Sequence, residues 1–247
     1  MRLTDRIHLV ASGSGGFGLT DPFDCHAYLL DGGGEAALVD AGIGAAPERI
    51  VANVEAAGVP RERVHHLLLT HAHPDHAGGA AALKRLLPGL QVAASPEAAG
   101  WVETADEDAI GVASGKRAEF YPPDFRFSAC AVDRRLHGGE RLRVGELEVA
   151  AVETPGHCAG HLAFVCDTEA GRACFGGDLV FFGGLVSLVN NWDCSIQEYA
   201  QSFDRLAGAG IDVLLPGHHS LSLCDGQRHV EAARRRFESG FVPRSIV

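Results

Sequence analysis

The sequence predicts a layered α/β fold, with sheet in the middle and helices outside. Short apolar segments with strand spacing alternate with helically spaced segments in two halves of the chain. Gly, Pro and Asp clusters separate the segments. The histidines and aspartates with chemical potential fall directly after apolar runs, where side chains from strand ends can meet in one cleft. Periodicity alone leaves a doubly wound parallel sheet open as the alternative.

The elements follow in order. Ile7–Ala11 is a short apolar strand. His26–Leu30 and Ala36–Asp40 flank the turn Asp31-Gly32-Gly33-Gly34 and read as a hairpin. Pro47 to Ala57 has helical spacing at Ile50, Val54 and Ala57, and Gly58 stops it. Val64–Thr70 is a buried strand that runs into a histidine cluster. Ala77–Leu87 reads as a helix closed by Pro88-Gly89, and Gln91–Ser95 as a strand. Pro96–Ile110 reads as helix, carrying Trp101 and the acids Glu103, Asp106, Glu107 and Asp108; Tyr121-Pro122-Pro123-Asp124-Phe125 follows. Residues 96–127 are therefore expected to form a helical cap inserted into a single domain spanning 1–247. Beyond it, strands are expected at Glu148–Glu153, His161–Cys166, Arg172–Phe175 and Val213–Leu215, with helices at Ser195–Leu206 and from Gly226 to Glu238.

The bulk numbers narrow the function classes. The 247 residues are enough to bury a substantial core, and 46% hydrophobic with 21% charged residues is ordinary for a globular chain. A formal charge of −11 repels phosphate backbones, so no nucleic-acid partner is expected. The basic run Arg234-Arg235-Arg236 reads as a solvated helix face. Seven cysteines, none paired as C-x-x-C, give no disulfide framework and suit a reducing compartment. No signal peptide is recognisable at the start, and no stretch reaches the ~18 apolar residues of a spanning helix, so a cytoplasmic protein without a membrane partner is expected.

The strongest local signal is Thr70-His71-Ala72-His73-Pro74-Asp75-His76, four ligand-type residues directly after an apolar strand. His71 and His73, two apart in extended chain, point to one side, and Pro74 keeps His73 extended. Gly78 and Gly79 allow close backbone approach beyond the cluster. Imidazoles with a carboxylate suit Zn²⁺ and related ions. Three further candidates sit at glycine-marked strand ends: His157 in Thr154-Pro155-Gly156-His157, Asp178 in Gly176-Gly177-Asp178, and His218 in Pro216-Gly217-His218.

Taken together, HAHPDH followed by TPGH, GGD and PGH, with Val39-Asp40-Ala41-Gly42 upstream, resembles the metallo-β-lactamase superfamily over about Ile7 to Ala233. The resemblance implies a four-layer αββα sandwich. It implies one metal on His71, His73 and His157, a second on Asp75, His76 and His218, Asp178 bridging them, and Asp40 beneath as an anchor. Two divalent ions are implied, Zn²⁺ first, with Fe or Mn as alternatives. The chemistry implied is hydrolysis of an ester, lactone, thioester or amide by a metal-bound hydroxide, with Asp75 or Asp178 relaying a proton. His26, His65, His66, His161 and His219 are expected to support or to be structural, and Cys158 to point away from the ligands.

Within the family, the ligand set is similar to that of glyoxalase II and of lactonases. The stretch after His218 has room for one helix only, which disfavours a glyoxalase II assignment. The lactonases carry a Tyr three residues after the bridging Asp, where this chain has Phe181. The alternatives are β-lactamase-like activity and a mononuclear iron persulfide dioxygenase. A small-molecule acyl substrate is the expected partner, together with at most a second copy of the chain as a homodimer. Trp101, Phe120, Tyr121, Phe125 and Phe127 are candidates for an aromatic cap wall, with Phe181, Phe182 and Trp192 opposite; packing of the cap onto the core is the equal alternative.

Overall fold

The computed structural model describes residues 1–247. Its strands form two sheets. The first runs in the order β1 (Ile7–Ala11), β2 (Ala27–Asp31), β3 (Ala36–Val39), β4 (Val64–Leu68), β5 (Gln91–Ala94) and β6 (Arg134–Arg135). Its first three strands pair antiparallel and the remainder parallel. The second comprises β7 (Arg141–Val144), β8 (Leu147–Glu153), β9 (Leu162–Thr168), β10 (Gly171–Gly177) and β11 (Val213–Pro216). There β7 to β10 form an antiparallel meander, and β11 pairs parallel with β10.

Period-2 alternation explains the layering. On β2 and β3, Tyr28, Leu30, Ala37 and Val39 point between the sheets, where they meet Val149, Phe164, Phe175 and Leu215. The alternate residues Leu29 and Leu38 point outward, against α1 (Pro47–Ala56) through Ile50 and Val54, against α3 (Ala80–Leu86) through Leu83, and into the same layer as Ala98 and Val102 of α4 (Pro96–Thr104). The outer face of the second sheet, with Ala163, Cys174 and Leu214, is covered by α6 (Ile196–Leu206) and α7 (Gln227–Glu238) through Tyr199, Phe203, Val230 and Ala233. Strands buried on both faces read as nearly continuous apolar runs, as these do. The result is the expected four-layer αββα sandwich.

Three readings need correction. The helix expected at Ala77–Leu87 is two pieces, α2 (Pro74–Ala77) and α3, so the turn begins inside the histidine cluster. Between them Gly79 packs on the β3 exit, where a Cβ would stand 2.1 Å from Ala41 O. The helix expected to Ile110 ends at Thr104, because Ala105 turns left-handed at φ 52°. A further helix, α5 (Val112–Arg117), follows. Two of the acids of this region are tied down: Glu103 accepts from Val132 N and pairs with Arg135, and Glu107 accepts from Phe127 N. Finally, β7 was not expected. It is an edge strand whose exposed Arg141 and Arg143 alternate with inward Leu142 and Val144, and charge on an edge masks the apolar pattern while blocking further pairing.

Candidate metal centre

The sheets bring five strand exits to one edge. Asp40 leaves β3, and Thr70–His76 leaves β4. In the second sheet β8, β10 and β11 run in the same sense, so the turn holding His157, the Asp178 position and the Gly217-His218 pair open onto the same cleft. Small residues permit the convergence. A Cβ at Gly217 would lie 2.3 Å from Asp178 Oδ1 and 2.6 Å from His76 Cε1.

All seven candidates meet there. Donor atoms of His71, His73 and His157 lie within 4.8 Å of one another, and so do those of Asp75, His76 and His218. Asp178 stands between the groups, 3.3 Å from His76 Nε2 and 3.7 Å from both His157 Nε2 and His218 Nε2. Asp75 reaches His218 Nε2 at 3.0 Å.

Beneath them, Asp40 accepts from Thr70 N at 2.8 Å and from Thr70 Oγ1, and contacts His76 Nδ1 at 2.7 Å. It does so from the left-handed region at φ 62°, which Asp tolerates better than most residues. On the other side, His157 Nδ1 donates to Ser187 O at 2.8 Å. These bonds occupy the rear nitrogens, and the front ones turn toward the other donors, His157 Nε2 meeting His73 Nδ1 at 2.9 Å.

Electrostatics suit a cation. Burial, reinforced by the neighbouring imidazoles, keeps His71 neutral far below its ordinary range; burial and His157 push His73 down to about 3. Burial works against ionising Asp75 and Asp178, yet His76 and His218 hold both carboxyls well below the usual range. Among the buried side-chain atoms without a hydrogen-bond partner are His71 Nε2, His76 Nε2 and Asp178 Oδ1, all at this one place. An unpaired buried polar atom costs ~1–3 kcal/mol, so three together fit a bound cation far better than an empty core.

The histidines expected to support do so in part. His161 Nε2 accepts from Asp178 N at 3.2 Å, while its Nδ1 meets Thr154 Oγ1 at 2.9 Å. His26 Nε2 sits 2.9 Å from His219 O. His65 and His66 lie apart, beside Glu35. Cys158 departs from expectation: its sulfur lies in the group with His71, His73 and His157. It follows β8 in a turn, where strand alternation no longer directs side chains, and burial keeps it a protonated thiol.

Above the donors opens a cavity of about 450 Å³. Of the eight aromatics nominated for its walls only Phe120 and Tyr121 line it. Phe127 is buried in the helix–sheet layer, Trp101 and Phe125 pack against that layer, and Phe181 is fully buried. Phe182 packs at a tilt against His229, and Trp192 crosses Trp101 on the outside.

Two features were missed. The Tyr121 hydroxyl donates to Asp75 Oδ1 at 3.1 Å, and Asn191 links the cap to the site by meeting His73 Nε2 at 3.3 Å and Ser114 Oγ at 2.7 Å. Neither lies in a motif. Both depend on where the cap folds back.

A pH dependence follows for the metal-free protein. Burial pushes His26 down to about 4, so the folded state keeps it neutral while the unfolded chain protonates near 6.5. Below that pH the unfolded state binds the extra proton, and stability falls as pH drops from about 6.5 to 4, by up to ~3 kcal/mol from this group. Chelator-treated His26→Gln should therefore show a smaller loss of urea midpoint between pH 7 and 4.5 than the parent. An equal loss would contradict the assignment.

Comparison with known proteins gives the family and the fold. The family model described as Metallo-beta-lactamase superfamily matches residues 20–218. A protein named atrochrysone carboxyl ACP thioesterase from Aspergillus fumigatus is 29% identical over 195 residues, 78% of this chain and 50% of its own length. A human hydroxyacylglutathione hydrolase-like protein is 32% identical over 202 residues, covering 80% and 56%. The chain thus spans about half the length of the curated relatives it matches. Among solved structures, a metallo-beta-lactamase family protein from Thermus thermophilus superposes with a TM-score of 0.73 at 25% identity, over 96% of this chain and 81% of that one. From the family match and the shared fold, the chain belongs to the metallo-β-lactamase superfamily.

Proposed function

We propose that the protein is a dinuclear metal-dependent hydrolase that cleaves an ester, lactone, thioester or amide of a small organic substrate. The observation that carries this reading is the set of three orphaned buried donor atoms, on His71, His76 and Asp178, beside a cavity that Asp178, His73, Asp75 and His218 line, flanked by two donor groups. His71, His73 and His157 would hold one ion, Asp75, His76 and His218 the other, with Asp178 shared; nitrogen and carboxylate donors suit Zn²⁺ best. Divalent ions so held would supply Lewis acidity, able to polarise an acyl carbonyl and to activate water as a nucleophile near neutral pH.

The chain's own residues prepare that chemistry. Asp40 and Ser187 O fix the ring orientations of His76 and His157. Asp75 and Asp178, ionised in the cleft, are placed to hold a cation and to accept hydrogen bonds from a bound substrate or water. The Tyr121 phenol holds Asp75 from the cavity side, and burial beside that carboxylate keeps it protonated and a donor. The curated relatives named as a thioesterase and as hydroxyacylglutathione hydrolases favour thioesters within the class.

Metal counting by emission spectroscopy, followed by a panel of thioesters, lactones, aryl esters and β-lactams, tests this. About two ions per chain with turnover of at least one acyl class is the expected result. Two ions with no turnover would overturn it. One iron per chain with persulfide-dependent O₂ uptake would instead identify an oxygenase.

A further inference from the structure

We infer that the cavity selects acyl substrates that are uncharged and carry an apolar arm, and rejects those whose leaving group or tail is anionic. This rests on the hydrolase reading for the chemistry but on the cavity walls for the selection.

Three separate segments build those walls. The N-terminal loop contributes Pro22 and Phe23, the cap contributes Phe120 and the Tyr121 ring, and the end of the described chain contributes Ile246 and Val247. That last segment is held in place by backbone pairing. Val186 N donates to Arg244 O at 3.0 Å, Ile246 N donates to Val186 O at 2.9 Å, and Leu188 N donates to Ser245 Oγ at 3.0 Å. An apolar surface contributed by three distant parts of the sequence walls the cavity that His73, Asp75, Asp178 and His218 also line, and suits an aliphatic or aromatic arm.

Charge decides the rest. None of the chain's 21 Lys and Arg residues lines the cavity. Of the basic residues on the segments that build the walls, Lys116 donates to Phe125 O, while Arg117 and Arg244 are exposed and outside the lining. Apart from Asp75 and Asp178 in the metal centre, the charged lining residues are Asp24 and Glu119, both acidic. Asp24 is fixed by bonds from Ile43 N and Asp21 N, whereas Glu119 is exposed in the cap. A carboxylate held against the apolar walls beside them would lose water and meet like charge, with no Lys or Arg among the lining residues to pair with. A glutathione thioester has such a leaving group, and a carboxylated lactam such a substituent. An N-acetylcysteamine thioester or an alkyl lactone has neither.

The test compares the octanoyl thioesters of N-acetylcysteamine and of glutathione on the zinc-loaded protein. The neutral thioester should have at least about a tenfold higher kcat/KM. Glu119→Lys, which reverses the sign of a cavity-lining charge, should narrow that ratio severalfold by raising kcat/KM for the glutathione thioester relative to the neutral one. Equal or faster turnover of the glutathione thioester by the parent would overturn the inference while leaving the hydrolase reading intact.

Binding separates the two claims if nothing is turned over. Octanohydroxamate and the monohydroxamate of suberic acid share a metal-binding head and chain length, and differ in an ω-carboxylate. Tighter binding of the neutral probe would support the selection even with the hydrolase reading lost. Equal or tighter binding of the anionic probe, or binding of neither, would overturn it.

Discussion

Asp178→Ala is expected to lower kcat/KM by about a thousandfold or more and to reduce bound metal to one ion per chain or fewer. Asp178 alone places its carboxylate against both donor groups, at 3.3 Å from His76 Nε2 and 3.7 Å from His157 Nε2 and His218 Nε2. Lewis-acid stabilisation by a bound ion is worth several kcal/mol, and each ~1.4 kcal/mol is tenfold in rate, which sets the size of the loss. The fold should survive. The contacts that position this residue are made by its backbone: Asp178 N donates to His161 Nε2, and Asp178 O accepts from Tyr199 Oη. Circular dichroism and a metal count on the same sample check both parts. Unchanged turnover with two ions bound would show that Asp178 is not shared between them.

The sequence made the donors legible because they are local. His71, His73, Asp75 and His76 fall within six positions, after a strand whose apolar run reveals its end. His157, Asp178 and His218 each follow a glycine at a strand exit, a position where a short backbone approach and a projecting side chain go together. Layered α/β packing was legible for a similar reason, since strands covered on both faces lose the polar alternation of an exposed sheet, whereas the four-layer αββα arrangement was implied by the motif resemblance and not by periodicity. The cavity was not legible in this way. Phe120, Phe125 and Phe127 are chemically alike and close in sequence, yet one lines the cavity, one packs half-buried and one is core. What separates them is the left-handed turn at Ala105 and the path of α5, which local composition does not encode. Ile246 and Val247 reach the cavity by pairing with Val186, about sixty residues away in sequence, and no motif announces such a contact.

Tyr121→Phe carries the second large effect, because it tests whether the cap takes part in the chemistry or only covers it. The expected result is a fall in kcat of about 10- to 100-fold with KM changed by only a few fold, the range found when a group orienting a metal ligand is lost. The phenol is well placed for this. Its hydroxyl meets Asp75 Oδ1 at 3.1 Å on the cavity side, and Asp75 in turn contacts His218. Its ring has a prepared seat: a Cβ at Gly115 of α5 would lie 2.2 Å from Tyr121 Cε2. Phenylalanine keeps the ring in that seat and removes only the oxygen, so folding and metal content should be unchanged. Gly115→Ala keeps the oxygen but displaces the ring, and should lower kcat in the same direction. If both variants turn over like the parent, the cap contributes walls and nothing more. If only Gly115→Ala is impaired, packing of the cap, not the phenol, is what the reaction requires. A loss in both, with kcat moving and KM holding, makes Tyr121 the residue through which a distant insertion acts on Asp75, in a chain whose position three residues after Asp178 holds the buried, hydroxyl-free Phe181.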